Sequence, residues 1–314
     1  MDTLILIFWL AIGFALIIKG GDWFVEAAVY VAKITGIPSF IIGATIVSLA
    51  TTLPEVLVSV IASSSGNVDL AIGNAYGSVI ANLGFILGIS LSVMPPKFAS
   101  KDIIQKGLFM IALTIISAIL MFDYMLLFTE SMVLWVMLAI FLWMNVRSLK
   151  NKSVSDETIQ KHDTKDTKKQ IFLFIVGSIM VVFGADLLVD NATKLAELIQ
   201  IPQAVVGLTV VAIGTSLPEL VTTIMAIIKK ESGLSIGNII GANVLNMSLA
   251  IPASVLASKN ILVTRPETIT TDIPFSLWFM VLTIIPAIFF KRFFKWQGYL
   301  LLISYVIYII QTIL

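Results

Sequence analysis

Apolar runs of about 20 residues recur along the whole chain, and each is long enough to cross a bilayer core of roughly 30 Å. Of the 314 residues, 58% are hydrophobic and only 12% are charged, a composition typical of membrane proteins rather than of soluble domains. The pattern predicts an all-α polytopic membrane protein with ten transmembrane helices, at residues 3–26, 38–64, 68–93, 103–122, 125–147, 170–192, 202–228, 233–257, 272–290 and 297–314.

A charged segment at residues 147–169 divides the chain into residues 1–146 and 170–314, with five predicted helices on each side. Its charges of both signs, without apolar periodicity, predict a solvated linker, and we assign no role to its histidine, His162. The N-terminal run begins with an acid and lacks a basic region, so we interpret it as a retained helix rather than a signal peptide. The chain has no cysteine, which excludes thiolate metal sites, and no basic tract indicates a nucleic-acid partner.

The distribution of basic residues predicts the orientation of the chain in a cell membrane. With the N-terminus outside, 17 of the 20 basic residues fall on the cytoplasmic side, including the whole linker and Lys106. Only Lys194, Lys259 and Arg265 fall outside.

An internal repeat is the strongest long-range signal. An offset of 164 residues, without gaps, aligns Asp22 with Asp186, Glu55 with Glu219, Asn74 with Asn238, and Asn82 with Asn246. Because each copy holds an odd number of spans, the second copy enters the membrane from the opposite side. Such inverted-topology repeats are typical of transporters that bind their substrates near the bilayer midplane.

Both copies place a glutamate and hydroxyl groups on one face of a helix that also contains a proline. Ser48, Thr51, Thr52 and Glu55 follow helical spacing in "SLATTLPE", and their counterparts in "AIGTSLPE" are Ala212, Thr215, Ser216 and Glu219. Pro54 and Pro218 cannot donate to the carbonyls of Ala50 and Gly214, so we expect helix breaks with free carbonyl oxygens. These are all oxygen ligands of the kind that Ca²⁺ prefers and Na⁺ also accepts.

The following span adds amides and hydroxyls at helical spacing. In the first copy these are Asn74, Ser78 and Asn82, and in the second they are Asn238, Ala242 and Asn246. The amides can coordinate an ion or fix the glutamates. Gly73 with Gly77, and Gly237 with Gly241, form GxxxG pairs that indicate close helix packing.

Some of these residues also have plain structural explanations. The hydroxyls of Thr52 and Ser216 can bond to their own helix instead of an ion. Asp22 and Asp186 can serve as helix caps, as gating groups or as ion ligands. The two glutamates have no basic residue within a turn, and two matched buried acids without a counter-charge favour a functional role.

The paired segments "GATIVSLATTLPE" with "GNAYGSVIAN" and "GLTVVAIGTSLPE" with "GNIIGANVLN" resemble the alpha repeats of the calcium/cation antiporter superfamily, specifically its sodium/calcium exchanger branch. The resemblance covers essentially the whole chain. It implies ten helices, of which the second and seventh are broken at the site, and alternating access by sliding of the first and sixth. It also implies an ion-binding set consisting of Glu55, Glu219, Thr51, Thr215, Ser48, Ala212, Ser78, Asn82 and Asn246, with Thr52 and Ser216 beside them.

Three departures from the family pattern affect the expectation. The sequence has Ala50-Thr51-Thr52 where Gly-Thr-Ser is usual, and Ala242 replaces a frequent serine, which removes a hydroxyl from a sodium site. Asn246 stands where potassium-dependent exchangers carry an aspartate, which argues against potassium transport. The linker is too short for calcium-sensing domains.

The leading hypothesis is therefore secondary antiport of Ca²⁺ against Na⁺, without a resident cofactor and with a functional monomer in the lipid bilayer. The alternative is Ca²⁺/H⁺ antiport by the same fold, because two close carboxylates can share protons. A passive cation channel would need several stacked sites. An enzyme is disfavoured, because the sequence shows no nucleophile–base pair and no HExxH motif.

Overall fold

The structure, a computed structural model, describes residues 3–150, 164–198, 214, 216–259 and 261–313. These residues form two short strands, β1 (Met125–Leu127) and β2 (Ile261–Val263), and ten helices: α1 (Thr3–Thr35), α2 (Ser39–Ser64), α3 (Val68–Val93), α4 (Lys101–Leu120), α5 (Phe128–Lys150), α6 (Thr164–Leu198), α7 (Leu217–Ile228), α8 (Ser232–Ala257), α9 (Thr268–Phe290) and α10 (Lys295–Ile313). Eight of the described helices, all except α7 and α10, are long and apolar enough to cross a membrane.

The predicted spans agree with these helices in number, and those at 38–64 and 68–93 also agree in their ends. Most of the span predicted at 202–228 lies outside the described residues, which resume as a helix only at Leu217. The charged segment is partly helical, since α5 ends at Lys150 and α6 already begins at Thr164. His162 lies outside the described residues.

Four of the long helices contain a π-helical segment. These segments are Gly43–Val47 in α2, Ala81–Ile86 in α3, Asn246–Ala250 in α8 and Thr268–Asp272 at the start of α9. A π-helical turn shifts the register of the side chains and is frequent at functional sites. The segments of α3 and α8 occupy matching positions in the repeat, and each contains one of the predicted site amides.

The predicted break at Pro54 is wrong, whereas Pro218 does stand at a helix start. Pro54 lies inside α2, which remains helical on both sides of it. A proline removes one backbone hydrogen bond, and α2, which packs against α8 and α3, continues as a helix without it. Pro218 lies in the first turn of α7, directly after the turn at Ser216, where a missing N–H leaves no bond unmade.

Helices α1 and α6 contact each other along their length through two pairs of glycines. A β-carbon on Gly13 would lie 3.0 Å from the carbonyl oxygen of Gly184, and one on Gly20 would lie 2.9 Å from that of Gly177. Because the earlier glycine of α1 meets the later glycine of α6, the two helices run antiparallel. The same four positions match in the repeat, so the equivalent first helices of the two halves lie side by side in opposite directions.

Helices α2, α3 and α8 form the interior of the protein, and α8 is the most buried of the eight membrane-length helices. Gly237 and Gly241 of α8 lie directly against Phe40 and Ser48 of α2, which confirms the close packing predicted from this GxxxG pair. The same prediction is wrong for Gly77 in α3, which has open space at its α-carbon. Gly73 meets only the side chain of Arg265 there.

Two backbone contacts join the halves of the chain at loops. The first is the antiparallel pair β1–β2, in which Leu126 stands opposite Leu262. In the second, the Ala99 amide donates to the Lys291 carbonyl at 2.7 Å, and the Phe293 amide donates to the Pro96 carbonyl at 3.2 Å. We call the second contact the α4–α9 seam, formed by residues 96–101 and 289–295.

One basic residue of the orientation argument does not lie at a surface. Lys106, in the second turn of α4, is only 1% exposed, and its Nζ lies 5.1 Å from the centre of the Phe40 ring. The end of its side chain therefore lies inside the protein rather than in a cytoplasmic loop.

Candidate ion-binding site

The two predicted glutamates come together in the interior from different helices. Glu55 lies in the second half of α2 and Glu219 in the first turn of α7, and both are 0% exposed. The two carboxyl groups are close enough to interact with each other. Both oxygens of Glu55 and Oε2 of Glu219 have no hydrogen-bond partner. Buried carboxylate oxygens of this kind are costly unless something positively charged satisfies them.

The hydroxyls of α2 reach across to α7 and α8. Thr52 Oγ1 donates to Glu219 Oε1 at 3.2 Å, and Thr51 Oγ1 lies 3.2 Å from Asn238 Oδ1. Thr51 Oγ1 also lies 3.4 Å from the carbonyl oxygen of Ser48, one turn earlier in α2. Thr52 therefore bonds across to the other half rather than to its own helix, and Thr51 bonds both ways.

The predicted amides Asn82 and Asn246 and the hydroxyl of Ser78 are buried, with much of their hydrogen-bonding capacity unused. Ser78 Oγ and Asn82 Oδ1, both in α3, have no partner, and neither do Nδ2 and Oδ1 of Asn246 in α8. All three residues are at most 2% exposed. Buried polar atoms are almost always hydrogen-bonded in folded proteins, so these atoms have free capacity to contact an ion or a water molecule.

Two predicted ligands from the second copy, Ala212 and Thr215, lie outside the described residues. Ser216 is described, and its buried hydroxyl at the start of α7 has no partner. Ser48 is buried at the contact between α2 and α8, and its hydroxyl donates to the carbonyl of Thr45. Its own carbonyl faces Thr51, as noted above.

The internal repeat did not predict Asn243 of α8 as a residue of the candidate site. Its Oδ1 accepts a hydrogen bond of 3.2 Å from Asn82 Nδ2, and its own Nδ2 has no partner. The counterpart of Asn243 in the first copy is Val79, a buried core residue, so a search for matched polar pairs passes over it. The sequence feature that would predict Asn243 is an amide on the inward face of α8, the most buried of the membrane-length helices.

Asn74 serves as a support for the first glutamate. Its Nδ2 donates to the backbone carbonyl of Glu55 at 3.0 Å and lies 2.9 Å from Ser59 Oγ. The counterpart of Ser59 is Thr223, a buried hydroxyl without a partner. Asn238 instead accepts from Thr51, so the two copies use equivalent asparagines differently.

The paired aspartates do not join the site. Asp22 pairs with Lys229 at the end of α7, with an Oδ1–Nζ distance of 2.7 Å, and its Oδ2 lies 3.7 Å from Lys19 Nζ. Asp186 is exposed on α6. Besides the expected roles of helix cap, gating group or ion ligand, the structure gives Asp22 an ion pair that joins α1 to the end of α7.

The candidate donor set consists of the two carboxylates and the hydroxyl and amide oxygens of the residues described above. No group of three or more His, Cys, Asp or Glu that could hold a metal occurs among the described residues. Without thiolate or imidazole, such a set selects hard cations. Four helices, two from each half of the chain, contribute to it.

Comparisons with known proteins place the chain in a family. The family model described as "Sodium/calcium exchanger protein" matches residues 5–147 and 169–314. The class is therefore that of multi-pass membrane proteins that exchange cations. More particularly, the chain belongs to the sodium/calcium exchanger protein family.

Several relatives are similar over most of their length. An uncharacterised membrane protein of Methanocaldococcus jannaschii is 32% identical over 303 residues, 94% of each chain. The inner membrane protein YrbG of Escherichia coli is 35% identical over 250 residues, 77% of each chain. The sodium/calcium exchanger MaX1 of Methanosarcina acetivorans is 26% identical over an alignment that covers 96% of each chain.

The fold is also similar to a solved exchanger. The structure of the sodium-calcium exchanger NCX_Mj soaked with zero Na⁺ and Ca²⁺ matches with a TM-score of 0.84 at 29% identity, covering 99% of this chain and 100% of that one. The predicted all-helical exchanger fold is thus confirmed.

Proposed function

We propose that this protein exchanges Ca²⁺ for Na⁺ across the membrane, with both ions bound between Glu55 and Glu219. The observation that carries the proposal is the pair of fully buried carboxylates, three of whose four oxygens lack hydrogen-bond partners. Similarity to proteins named as sodium/calcium exchangers supports the same ions. The ions are transported substrates, and the proposal includes no resident cofactor.

The charge of the site favours a divalent ion as one substrate. Two carboxylates carry a charge of −2, which one Ca²⁺ neutralises. We assign its remaining coordination, roughly six to eight oxygens in total, to neighbouring hydroxyl, amide and backbone oxygens. The proposed set is Ser48, Thr51, Ser78, Asn82 and Asn246, with Ala212 and Thr215, while Thr52 and Ser216 lie beside the glutamates.

The neutral oxygens favour sodium as the counter-ion. Protons would need only the two carboxylates, whereas dehydrated sodium ions need neutral oxygen ligands beside them. Ser78 Oγ, Asn82 Oδ1 and Asn246 Oδ1 provide such ligands and are otherwise unsatisfied. Ala242, which is fully buried, offers no hydroxyl where Ser78 stands in the first copy, so the two flanking positions differ.

We further propose that the two halves are inverted repeats that move by alternating access. The antiparallel contact of α1 with α6 through matched glycines supports the inversion. The matched π-helical segments of α3 and α8, and the two loop contacts that join the halves, support it as well. Because glycine has no side chain, this contact also allows α1 and α6 to slide past the site.

The proposed orientation in the cell membrane places the N-terminus outside and residues 147–169 in the cytoplasm. Most of the basic residues support it, including Lys229 and Lys230 after α7 and Lys291 and Arg292 after α9. We propose that the monomer is the functional unit, because both halves of the site belong to one chain.

The test is ion flux in proteoliposomes. Vesicles loaded with sodium and diluted into sodium-free buffer should accumulate labelled calcium, and an inward sodium gradient should empty them. Exchange of more than two Na⁺ per Ca²⁺ would move charge, so an imposed potential would shift the end point by about 2.3 kcal/mol per charge per 100 mV. Equal uptake driven by a pH gradient without sodium would favour proton coupling. Uptake that never saturates and needs no counter-ion would indicate a channel.

A further inference from the structure

The α4–α9 seam gathers basic residues that are far apart in the sequence. Its two backbone hydrogen bonds place the loop before α4 beside the loop between α9 and α10. Five basic side chains are exposed there: Lys97, Lys101, Lys291, Arg292 and Lys295. The two segments contain no acid, and the adjacent Asp102 accepts a hydrogen bond from Ser148 Oγ at 2.8 Å. The seam therefore carries a concentrated positive charge at the ends of membrane-length helices.

Exposed aromatic residues accompany these charges. Phe98 is 69% exposed and Phe290 is 62% exposed, and both lie beside the lysines of the seam. Trp296 is also exposed and stacks on Phe294, over whose ring Arg292 is held at 4.5 Å. Aromatic rings next to cationic side chains are the combination found at the level of lipid headgroups.

The opposite loop contact of the same molecule provides a matched comparison. The β1–β2 pair also joins the two halves, and it also lies at the ends of membrane-length helices. Its charged residues, however, are mixed in sign: Asp123, Glu130, Lys259, Arg265 and Glu267. Two similar backbone contacts thus differ in charge, so the positive charge of the α4–α9 seam is not a requirement of the contact itself.

We propose that the α4–α9 seam is a binding site for the headgroup of an anionic phospholipid from the adjoining leaflet. The five cations complement the phosphate, Arg292 offers it a planar fork of donors, and the exposed phenylalanines contact the upper acyl chains. Because the seam joins α4 of one half to α9 and α10 of the other, a bound lipid holds these parts of the two halves together. This inference does not depend on which ions the protein exchanges.

The test measures lipid binding by the purified full chain in a neutral detergent. Phosphatidylglycerol and phosphatidylcholine are titrated in parallel, with native mass spectrometry counting bound lipids and thermal unfolding following stabilisation. We expect saturable binding and stabilisation by phosphatidylglycerol only. In K97Q/K291Q the dissociation constant should rise about 25-fold, at about fivefold for each lost charge near the lipid surface.

The control is K259Q/R265Q, which removes two exposed charges near the opposite loop contact and should bind phosphatidylglycerol like the unchanged protein. A third variant, W296F, locates the lipid: brominated phosphatidylglycerol should quench the fluorescence of the unchanged protein more than that of W296F. Equal binding of both lipids, equal loss in the control, or equal stabilisation by inorganic phosphate alone would overturn the proposal. A K97Q/K291Q protein that binds normally would do so as well.

Discussion

Replacing Glu219 by glutamine tests the electrostatic account of the site most sharply. The variant keeps the size of the side chain and its acceptor for Thr52, but removes one of two buried negative charges. At an effective dielectric constant of about 20, a unit charge at 4 Å contributes about 4 kcal/mol, so Ca²⁺ loses about 8 kcal/mol and Na⁺ about 4 kcal/mol. The difference corresponds to about a thousandfold loss of calcium relative to sodium.

Two assays read this out. Sodium-driven calcium uptake in proteoliposomes should disappear, and millimolar calcium should no longer raise the unfolding temperature, because a ligand stabilises only the state that binds it. In ion-free buffer the variant should unfold no lower than the unchanged protein, since it loses the repulsion between two buried carboxylates. Glu267→Gln, an exposed acid at the start of α9, is the matched control and should behave normally. Near-normal calcium uptake by Glu219→Gln would refute the reasoning.

Three further changes should have separate signatures. Asn246→Asp adds a third acid to the site and should bring potassium sensitivity or weaken sodium competition; unchanged competition curves for both ions would place Asn246 outside the ligand set. Asn243→Val removes the acceptor of Asn82 and should raise the half-saturating calcium concentration about tenfold, as expected for roughly 1.4 kcal/mol from one buried hydrogen bond; an unchanged value would show that Asn243 does not position Asn82. Gly20→Val should slow transport while calcium binding persists, because its β-carbon would lie 2.9 Å from the Gly177 carbonyl oxygen and hold α1 away from α6; transport at the normal rate would argue against sliding at this contact.

The sequence predicted the ends of the helices best where the apolar runs and the internal repeat both defined them. The ends of α2 and α3 agree with prediction because short polar loops bound their apolar runs. The ends of α1 and α6 do not. Helix α1 continues through residues 27–35, several of which are buried and apolar, and α6 already begins in the charged segment at Thr164, where hydropathy gives no signal. The continuation of α2 through Pro54 was missed because it depends on packing against other helices.

The candidate site was predictable to the extent that it is symmetric. Glu55 and Glu219 stood out as matched buried acids, and the structure brings them together. Asn243 was missed because Val79 takes its place in the first copy. The π-helical segments that contain Asn82 and Asn246 have no sequence signal of their own, because they result from the register of packing between helices.

The location of the bound ion tests the central claim most directly. Crystals of the purified protein soaked in calcium and measured at a wavelength with strong calcium anomalous signal would show where the ion sits. The account predicts a peak within about 2.3–2.6 Å of carboxylate oxygens from both Glu55 and Glu219, which disappears when sodium replaces calcium. A calcium peak elsewhere, with both glutamates free of it, would contradict the proposed site.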